Sequence, residues 1–208
     1  MSPESPESPM PPALPAIRVD PLHYEARLQP RPLVQVDLVV IHCTELPDLA
    51  TAREYGERVL YEPRADGSGG TGNSGHFYID RDGGVHRWVA PDRTAHHVRG
   101  YNERSVGIEL VNRGRYPDWL DSRRQAMDEP YTDAQIAALV ALLRQLQEEL
   151  PALRLLAGHE DLDTAEVAAS NDASLRVRRK RDPGPRFPWV RVLDSTTLQR
   201  LDPHTDRM

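Results

Sequence analysis

The sequence predicts an α/β fold, in which a sheet is covered by helices within one domain of the 208-residue chain. Two apolar, β-branched segments, 34–42 and 105–112, are typical of strands buried at the centre of a sheet. A long helical pattern follows at 132–150, and a hairpin pattern lies at 76–90. Strands interleaved with helices in this way favour a single layered α/β domain.

The first buried strand is predicted over 34–42, because the run VQVDLVVIH is broken only by Gln35 and Asp37. His42 then lies at or just past the carboxyl end of this strand. Side chains of a strand alternate between its two faces, so Cys43 should point away from His42. A metal site shared by these two neighbours is therefore disfavoured.

Turn and loop signals divide the next part of the chain. A short helix is predicted over 49–60, and glycine content predicts a loop over 64–75. Segment 76–90 has two alternating strand patterns around Asp82-Gly83-Gly84, which is a strong hairpin turn signal.

The longest helix has clear boundary signals. Thr132 can cap its amino end, Gln135 completes a capping box, and Pro151 ends it. The following segment, LRLLAGH at 153–159, is predicted to be a short strand that again ends in a histidine.

The two ends of the chain differ from the middle in composition. Residues 1–17 are predicted to form a disordered leader, because proline-rich Ser-Pro-Glu repeats keep the backbone extended and solvated. The folded domain is predicted over 18–195, with a last short helix after Val190, and 196–208 are predicted to be a tail. The first residues lack the basic and apolar regions of an export signal, so we expect a cytoplasmic protein, with the periplasm as the alternative.

Composition limits the class of protein. The net charge is −6, from 26 Lys and Arg against 32 Asp and Glu, so neither nucleic acid nor an anionic membrane is an expected partner. No segment reaches the ~20 apolar residues of a membrane-spanning helix. Cys43 is the single cysteine, which excludes an intramolecular disulfide and a multi-cysteine zinc site.

Three residues of the predicted strands could carry chemistry. His42 and His159 lie at strand ends, where open sheets place ligand sites, although a lone histidine is often only structural. Glu109 stands among apolar residues of segment 105–112, and an unpaired buried carboxylate persists mainly where it is paired, metal-bound or catalytic. If that strand has a solvated face, Glu109 simply points to water.

Two loops add further candidates. In the basic run at 176–181 the default interpretation is a solvated charge cluster, but Asp182 precedes Pro-Gly-Pro, which helps to fix it in an extended conformation beside Lys180. In the loop that contains His97, Arg99 and Asn102, polar side chains suggest a ligand surface.

Taken together, VVIHCTE, SGHFYIDRDGGVHRWV, SVGIELVN, AGHEDLD and RKRDPGPRFPW resemble, in this order, the zinc-dependent N-acetylmuramoyl-L-alanine amidases of type 2. This group includes peptidoglycan-recognition proteins and phage amidase lysozymes. The resemblance spans about residues 33–193 and implies a single domain with a central mixed sheet covered by helices. It also implies hydrolysis of the amide between the lactyl group of N-acetylmuramic acid and L-alanine, with peptidoglycan fragments or muropeptides as partners and a monomeric state.

The resemblance further implies the roles of individual residues. His42, His159 and Asp182 would hold one zinc ion per chain and leave a fourth position for water. Glu109 would be the general base that takes the proton of the water and returns it to the leaving amine, and Lys180 would stabilise the oxyanion. The expected substrate-binding residues are His97, which lines the groove, Arg99, which could meet a stem-peptide carboxylate, and Asn102.

Two features separate this chain from some members of the group. Phage-type members have a tyrosine where this chain has Gly75 and lack the glutamate, so the chain resembles the glutamate users. The connection at 160–179 is longer than in many members and could form a rim of the groove. Because the three ligands, Glu109 and Lys180 are all present, we favour an enzyme over the alternative, a non-catalytic module that binds muropeptides.

Overall fold

The computed structural model describes residues 16–65 and 69–202. Within these residues the strands are β1 (Ile17–Val19), β2 (Leu38–Cys43), β3 (Phe77–Ile79), β4 (Val85–Arg87), β5 (Ser105–Leu110), β6 (Leu155–Gly158), β7 (Glu166–Ala168), β8 (Arg176–Arg178) and β9 (Gln199–Arg200). The α-helices are α1 (Leu49–Gly56), α2 (Asp133–Glu149), α3 (His159–Leu162) and α4 (Trp189–Asp194). None of the described helices is long and apolar enough to cross a membrane.

Seven of these strands form one mixed sheet, in the order β1-β4-β3-β5-β2-β6-β9. Only the hairpin pair β3 and β4 is antiparallel, and the other neighbours are parallel. β7 and β8 form a separate antiparallel pair. The predicted α/β fold with a central mixed sheet is therefore confirmed.

The two faces of the sheet are covered differently. On one face α2 packs its leucines against alternate strand residues such as Ile41 and Ile108. On the other face Ala52 of α1 packs in a cluster with Tyr78 of β3 and Trp88. The alternation of strand side chains thus leaves residues at 42 and 109 on the face opposite α2.

Several predicted elements were placed correctly but with different bounds. The strand predicted over 34–42 begins only at Leu38, because Leu33–Gln35 form a 3-10 turn and the carboxylate of Asp37 binds Arg104. The helix predicted over 49–60 ends at Gly56, whose carbonyl accepts a hydrogen bond from Tyr24.

The predicted domain boundaries also change. β1 pairs with β4, so Ile17 belongs to the sheet and not to the leader. β9 pairs with β6, and Leu198 and Leu201 are buried, so the segment after 195 continues the domain where a tail was expected. Residues 1–15 of the predicted leader and 203–208 of the predicted tail lie outside the described residues.

The capping box of α2 joins this helix to the sheet. Thr132 Oγ1 accepts from the Gln135 amide at 3.0 Å, and Gln135 Oε1 accepts from the Thr132 amide at 3.1 Å. Gln135 is buried, and its Nε2 also donates to the Val111 carbonyl, which follows β5, at 2.9 Å. One side chain therefore caps the helix and satisfies a buried carbonyl.

Gln135→Ala should lower the free energy of unfolding by about 1–3 kcal/mol, because it leaves the buried Val111 carbonyl unpaired as well as weakening the cap. Gln145→Ala, which removes an exposed bond within the same helix, should change it by less than about 0.5 kcal/mol. Urea denaturation measures both, and equal losses in the two variants would contradict the role of Gln135.

Candidate functional site

The site lies at the carboxyl ends of neighbouring parallel strands. His42 near the end of β2 is in register with Glu109 of β5, and His159 directly follows β6. Because Ile41 and Ile108 pack in the core under α2, the side chains of His42 and Glu109 point to the opposite face of the sheet. These side chains line an open cavity of about 680 Å³.

The structure brings together His42, His159 and Asp182, the three predicted metal ligands. Asp182 Oδ2 lies 2.9 Å from Nδ1 of His42 and 3.1 Å from Nδ1 of His159. One ligand atom from each of the three buried residues lies within 4.8 Å of the others. The Glu160 amide donates to the Asp182 carbonyl at 2.9 Å, which ties the aspartate backbone to the start of α3.

The pKa shifts of His42 and Asp182 suit the binding of a divalent cation. Burial lowers the pKa of His42 to about 4, although Asp182 opposes this shift. Burial also opposes ionisation of Asp182, but His159, His42 and Lys180 together hold the pKa of its carboxyl well below the usual range. Neutral imidazoles and an ionised carboxylate are the forms that bind metal.

One carboxylate atom supports the same conclusion. Asp182 Oδ1 is buried and has no hydrogen-bond partner among the described residues. A buried anionic oxygen without a partner is costly, and a cation held by the same carboxylate would compensate for this cost. The three residues therefore fit a bound metal ion.

Glu109 lies beside this cluster. Its Oε1 is 3.9 Å from His42 Nδ1, and its side chain is 15% exposed toward the cavity. Burial, followed by the charge of Asp182, raises the pKa of Glu109 to about 8. A Cβ on Gly75 would come within 2.9 Å of the Glu109 Cγ, so a larger side chain at 75 would compete for the same space.

Lys180 also lines the cavity, as Asp182 does. Its charge lowers the pKa of His42, Asp182 and Glu109. Within residues 16–65 and 69–202 its ammonium has no hydrogen-bond or ion-pair partner. The ammonium therefore remains available to a ligand in the cavity.

The three predicted substrate-binding residues line the cavity, with different surroundings. Nδ1 of His97 is 3.0 Å from Nε2 of His42, so His97 contacts a candidate metal ligand directly. Oδ1 of Asn102 accepts from the amides of His97 and Val98, which holds the loop in place. Arg99 is exposed at the rim. Their binding of substrate stays a prediction.

Sequence reasoning missed a polar layer behind His97. Nδ1 of His76 accepts from the Gly107 amide at 3.0 Å, and Arg31 Nη1 donates to the carbonyls of Asn102 and Ser105. His76 begins a segment with a strand pattern, and this pattern does not indicate that the histidine ring is fully buried. The partners of Arg31 are about 70 residues away along the chain, so no local pattern could have revealed them.

Comparison of the chain with known protein families agrees with the fold and the site. The N-acetylmuramoyl-L-alanine amidase family (Amidase_2) matches residues 32–185, which is most of the chain. The chain therefore belongs to this family, and the resemblance predicted from its motifs is confirmed.

Individual proteins of similar sequence agree with this family. The endolysin of Klebsiella phage KP32 is 35% identical over 85 residues, which are 41% of this chain and 52% of the endolysin. The 1,6-anhydro-N-acetylmuramyl-L-alanine amidase AmpD of Enterobacter cloacae is 34% identical over 122 residues, 54% of this chain and 51% of AmpD. The chain thus spans about half the length of the curated relatives it matches.

A solved structure supports the fold. The N-acetylmuramoyl-L-alanine amidase LysC from Clostridium intestinale superposes with a TM-score of 0.60, covering 89% of this chain and 99% of LysC. The sequence identity is 22%, so this likeness shows the common fold alone.

The buried His76 should make folding sensitive to acid. Burial, followed by the charge of Arg31, lowers the pKa of His76 to about 3, whereas the unfolded chain takes up this proton near pH 6.5. The stabilising contribution is thus complete above pH 6.5 and is lost as the pH falls toward 3, by up to about 1.4 kcal/mol per pH unit.

We expect the unfolding free energy of His76→Gln to fall less steeply between pH 6.5 and 5.0 than that of the unaltered protein, by about 1–2 kcal/mol over this range. Urea denaturation in the presence of a chelator measures this difference without a metal contribution. The exposed His23→Gln is the control and should keep the original slope. An unchanged slope in His76→Gln would contradict the assignment.

Proposed function

We propose that the chain is an N-acetylmuramoyl-L-alanine amidase, which hydrolyses the amide between N-acetylmuramic acid and L-alanine in peptidoglycan or its muropeptides. The observation that carries this proposal is the cluster of His42, His159 and Asp182 beside Glu109 in one open cavity. Membership of the family and similarity to a 1,6-anhydro-N-acetylmuramyl-L-alanine amidase support the choice of substrate.

We infer that Nδ1 of His42, Nδ1 of His159 and Oδ2 of Asp182 hold one zinc ion. Two imidazoles and a carboxylate are typical zinc ligands, and catalytic zinc sites have three protein ligands. When bound, zinc supplies polarisation of the substrate carbonyl and lowers the pKa of water to ~7.

Glu109 is proposed as the general base. Its carboxylate is close to the metal ligands and reaches the cavity, where an attacking water can lie. A carboxyl whose pKa is raised to about 8 can return a proton to the amine of L-alanine, and the nearby charge of Lys180 favours the ionised form that takes a proton from water. The same residue can therefore serve in both halves of the hydrolysis.

Two cations are proposed to act on the substrate. The ammonium of Lys180, which has no partner within residues 16–65 and 69–202, can donate to the carbonyl oxygen as negative charge develops there. Loss of one such donor typically lowers kcat by about 10²–10³-fold. The exposed guanidinium of Arg99 at the rim can bind a carboxylate of the stem peptide.

The alternative is a recognition module that binds muropeptides without hydrolysis. Such a module needs neither a complete ligand set nor a base beside it. The raised pKa of Glu109 and the absence of a partner for Asp182 Oδ1 among the described residues favour the enzyme, because both arise from burial that binding alone does not require.

The zinc-loaded protein should release stem peptide with a new L-alanine amino terminus from an anhydro-muropeptide or from intact sacculi. Glu109→Gln should lower kcat by about 10²–10⁴-fold, because it removes the base but preserves the shape of the side chain. Product formation measured by chromatography and mass spectrometry tests this expectation on both substrates.

Muropeptide binding by Glu109→Gln, measured by calorimetry, should stay close to that of the unaltered protein. The exposed Glu103→Gln, on the same segment, is the matched control and should keep full activity. Binding by the zinc-loaded protein without any release of stem peptide would contradict the enzyme and favour the recognition module.

A further inference from the structure

A buried ion pair lies in the cavity wall beside the segment that carries Lys180. Arg115 binds both carboxylate oxygens of Glu45, with Nε 2.6 Å from Oε1 and Nη2 2.8 Å from Oε2. The two side chains are only 1% and 8% exposed. Both residues are distant in sequence from the candidate ligand Asp182, and neither has a role in the proposed chemistry.

The remaining donors of Arg115 are also occupied. Nη1 donates to the carbonyl of Arg178 at 2.9 Å and to the side chain of Gln125 at 3.3 Å. Nη2 donates to the carbonyl of Arg179 at 3.3 Å. All five N–H groups of the guanidinium therefore have acceptors within the protein, and none remains for a substrate.

The two carbonyls bound by Arg115 directly precede Lys180. On the opposite side, the Arg179 amide donates to the Ala165 carbonyl at 2.8 Å, and its guanidinium pairs with the carboxylate of Asp163. The backbone before Lys180 is thus fixed from both sides. The long connection at 160–179 provides one side, and Arg115 provides the other.

In the part of the chain that the structure describes, the ammonium of Lys180 has no such anchor. Lys180 is also the only lysine among the 26 lysine and arginine residues of the sequence. A lysine stem is flexible, so the place of its charge depends on where the backbone holds its Cα. A small shift of residues 178–179 would move the ammonium away from the reacting carbonyl.

We propose that Arg115, held by Glu45, is a positioning residue that fixes residues 178–179 and thereby directs the Lys180 ammonium into the cavity. This proposal rests on the proposed amidase function. Arg115 acts only through Lys180 and does not touch the substrate. Its loss should reduce kcat and leave substrate binding nearly unchanged.

The main variant is Glu45→Gln with Arg115→Met, which removes the carbonyl donors without leaving a buried charge unpaired. We expect kcat to fall 10–100-fold, KM to change less than threefold, and the zinc content to stay unchanged. Glu45→Gln alone weakens the hold on Arg115 but keeps its donors to the two carbonyls, so kcat should fall less than in the double variant. Arg123→Met removes an exposed side chain that pairs with Asp121 in the same loop, and this control should be neutral.

A mutant cycle with Lys180→Ala tests whether Arg115 acts through this lysine. In protein that already carries Lys180→Ala, we expect the double variant to lower the remaining kcat by less than a further threefold. The reason is that the group that Arg115 positions is already absent. The proposal would be overturned if the kcat losses from Lys180→Ala and from the double variant multiplied when the changes were combined. It would also be overturned if the double variant kept the original kcat. If the double variant does not fold, Arg115→Lys, which keeps the charge opposite Glu45, takes its place in the cycle.

The single lysine provides a readout that does not depend on activity. In protein labelled with ¹³C-lysine, NMR should show two distinct Hε signals for Lys180, and the double variant should show one averaged signal. An averaged signal in both proteins would overturn the proposal. An unaltered protein without amidase activity would contradict the proposed function, and the NMR comparison would then still decide whether Arg115 positions Lys180.

Discussion

The site depends on one buried carboxylate that lies between two histidines. Asp182 Oδ2 lies within hydrogen-bond distance of both His42 and His159, which come from different strand ends. A buried anion of this kind is stable only with partners, and the neighbouring charge of Lys180 adds to them. These contacts tie residue 182 to the ends of β2 and β6.

The parallel sheet makes such a convergence possible. β2 lies between β5 and β6, so the carboxyl ends of these three strands deliver His42, Glu109 and His159 to one edge. Glycines provide the space between them. A Cβ on Gly75 would meet Glu109, and a Cβ on Gly107 would lie 2.7 Å from the ring of His97. The glycines behind the site are thus as necessary for its geometry as the polar groups that face the cavity.

Local patterns predicted much of this arrangement. The capping box of α2, the hairpin of β3 and β4, and strand β5 follow from signals within a few residues, and all three are present. The candidate ligands His42, His159 and Asp182 were implied by the family resemblance, because each belongs to one of its motifs. The bounds of β2 and α1 were wrong because side-chain contacts from distant segments, such as Tyr24 on Gly56, decide where these elements end.

The pair of Glu45 and Arg115 could not be predicted from the sequence, because 70 residues separate the two and each stands in an irregular loop. The same holds for the contacts of Arg31 with the loop behind His97. These interactions become visible only when the sheet has placed their loops together. These interactions hold the candidate catalytic residues in position, and the sequence alone already indicated which residues those are.

X-ray absorption at the zinc K-edge shows whether His42, His159 and Asp182 bind a single zinc ion. Protein loaded with one equivalent of zinc should show only nitrogen and oxygen ligands at about 2.0–2.2 Å, with two histidine contributions. His159→Ala should remove one of these contributions. A sulfur ligand at about 2.3 Å, which only Cys43 or a methionine could supply, or a spectrum of hydrated zinc would contradict the account.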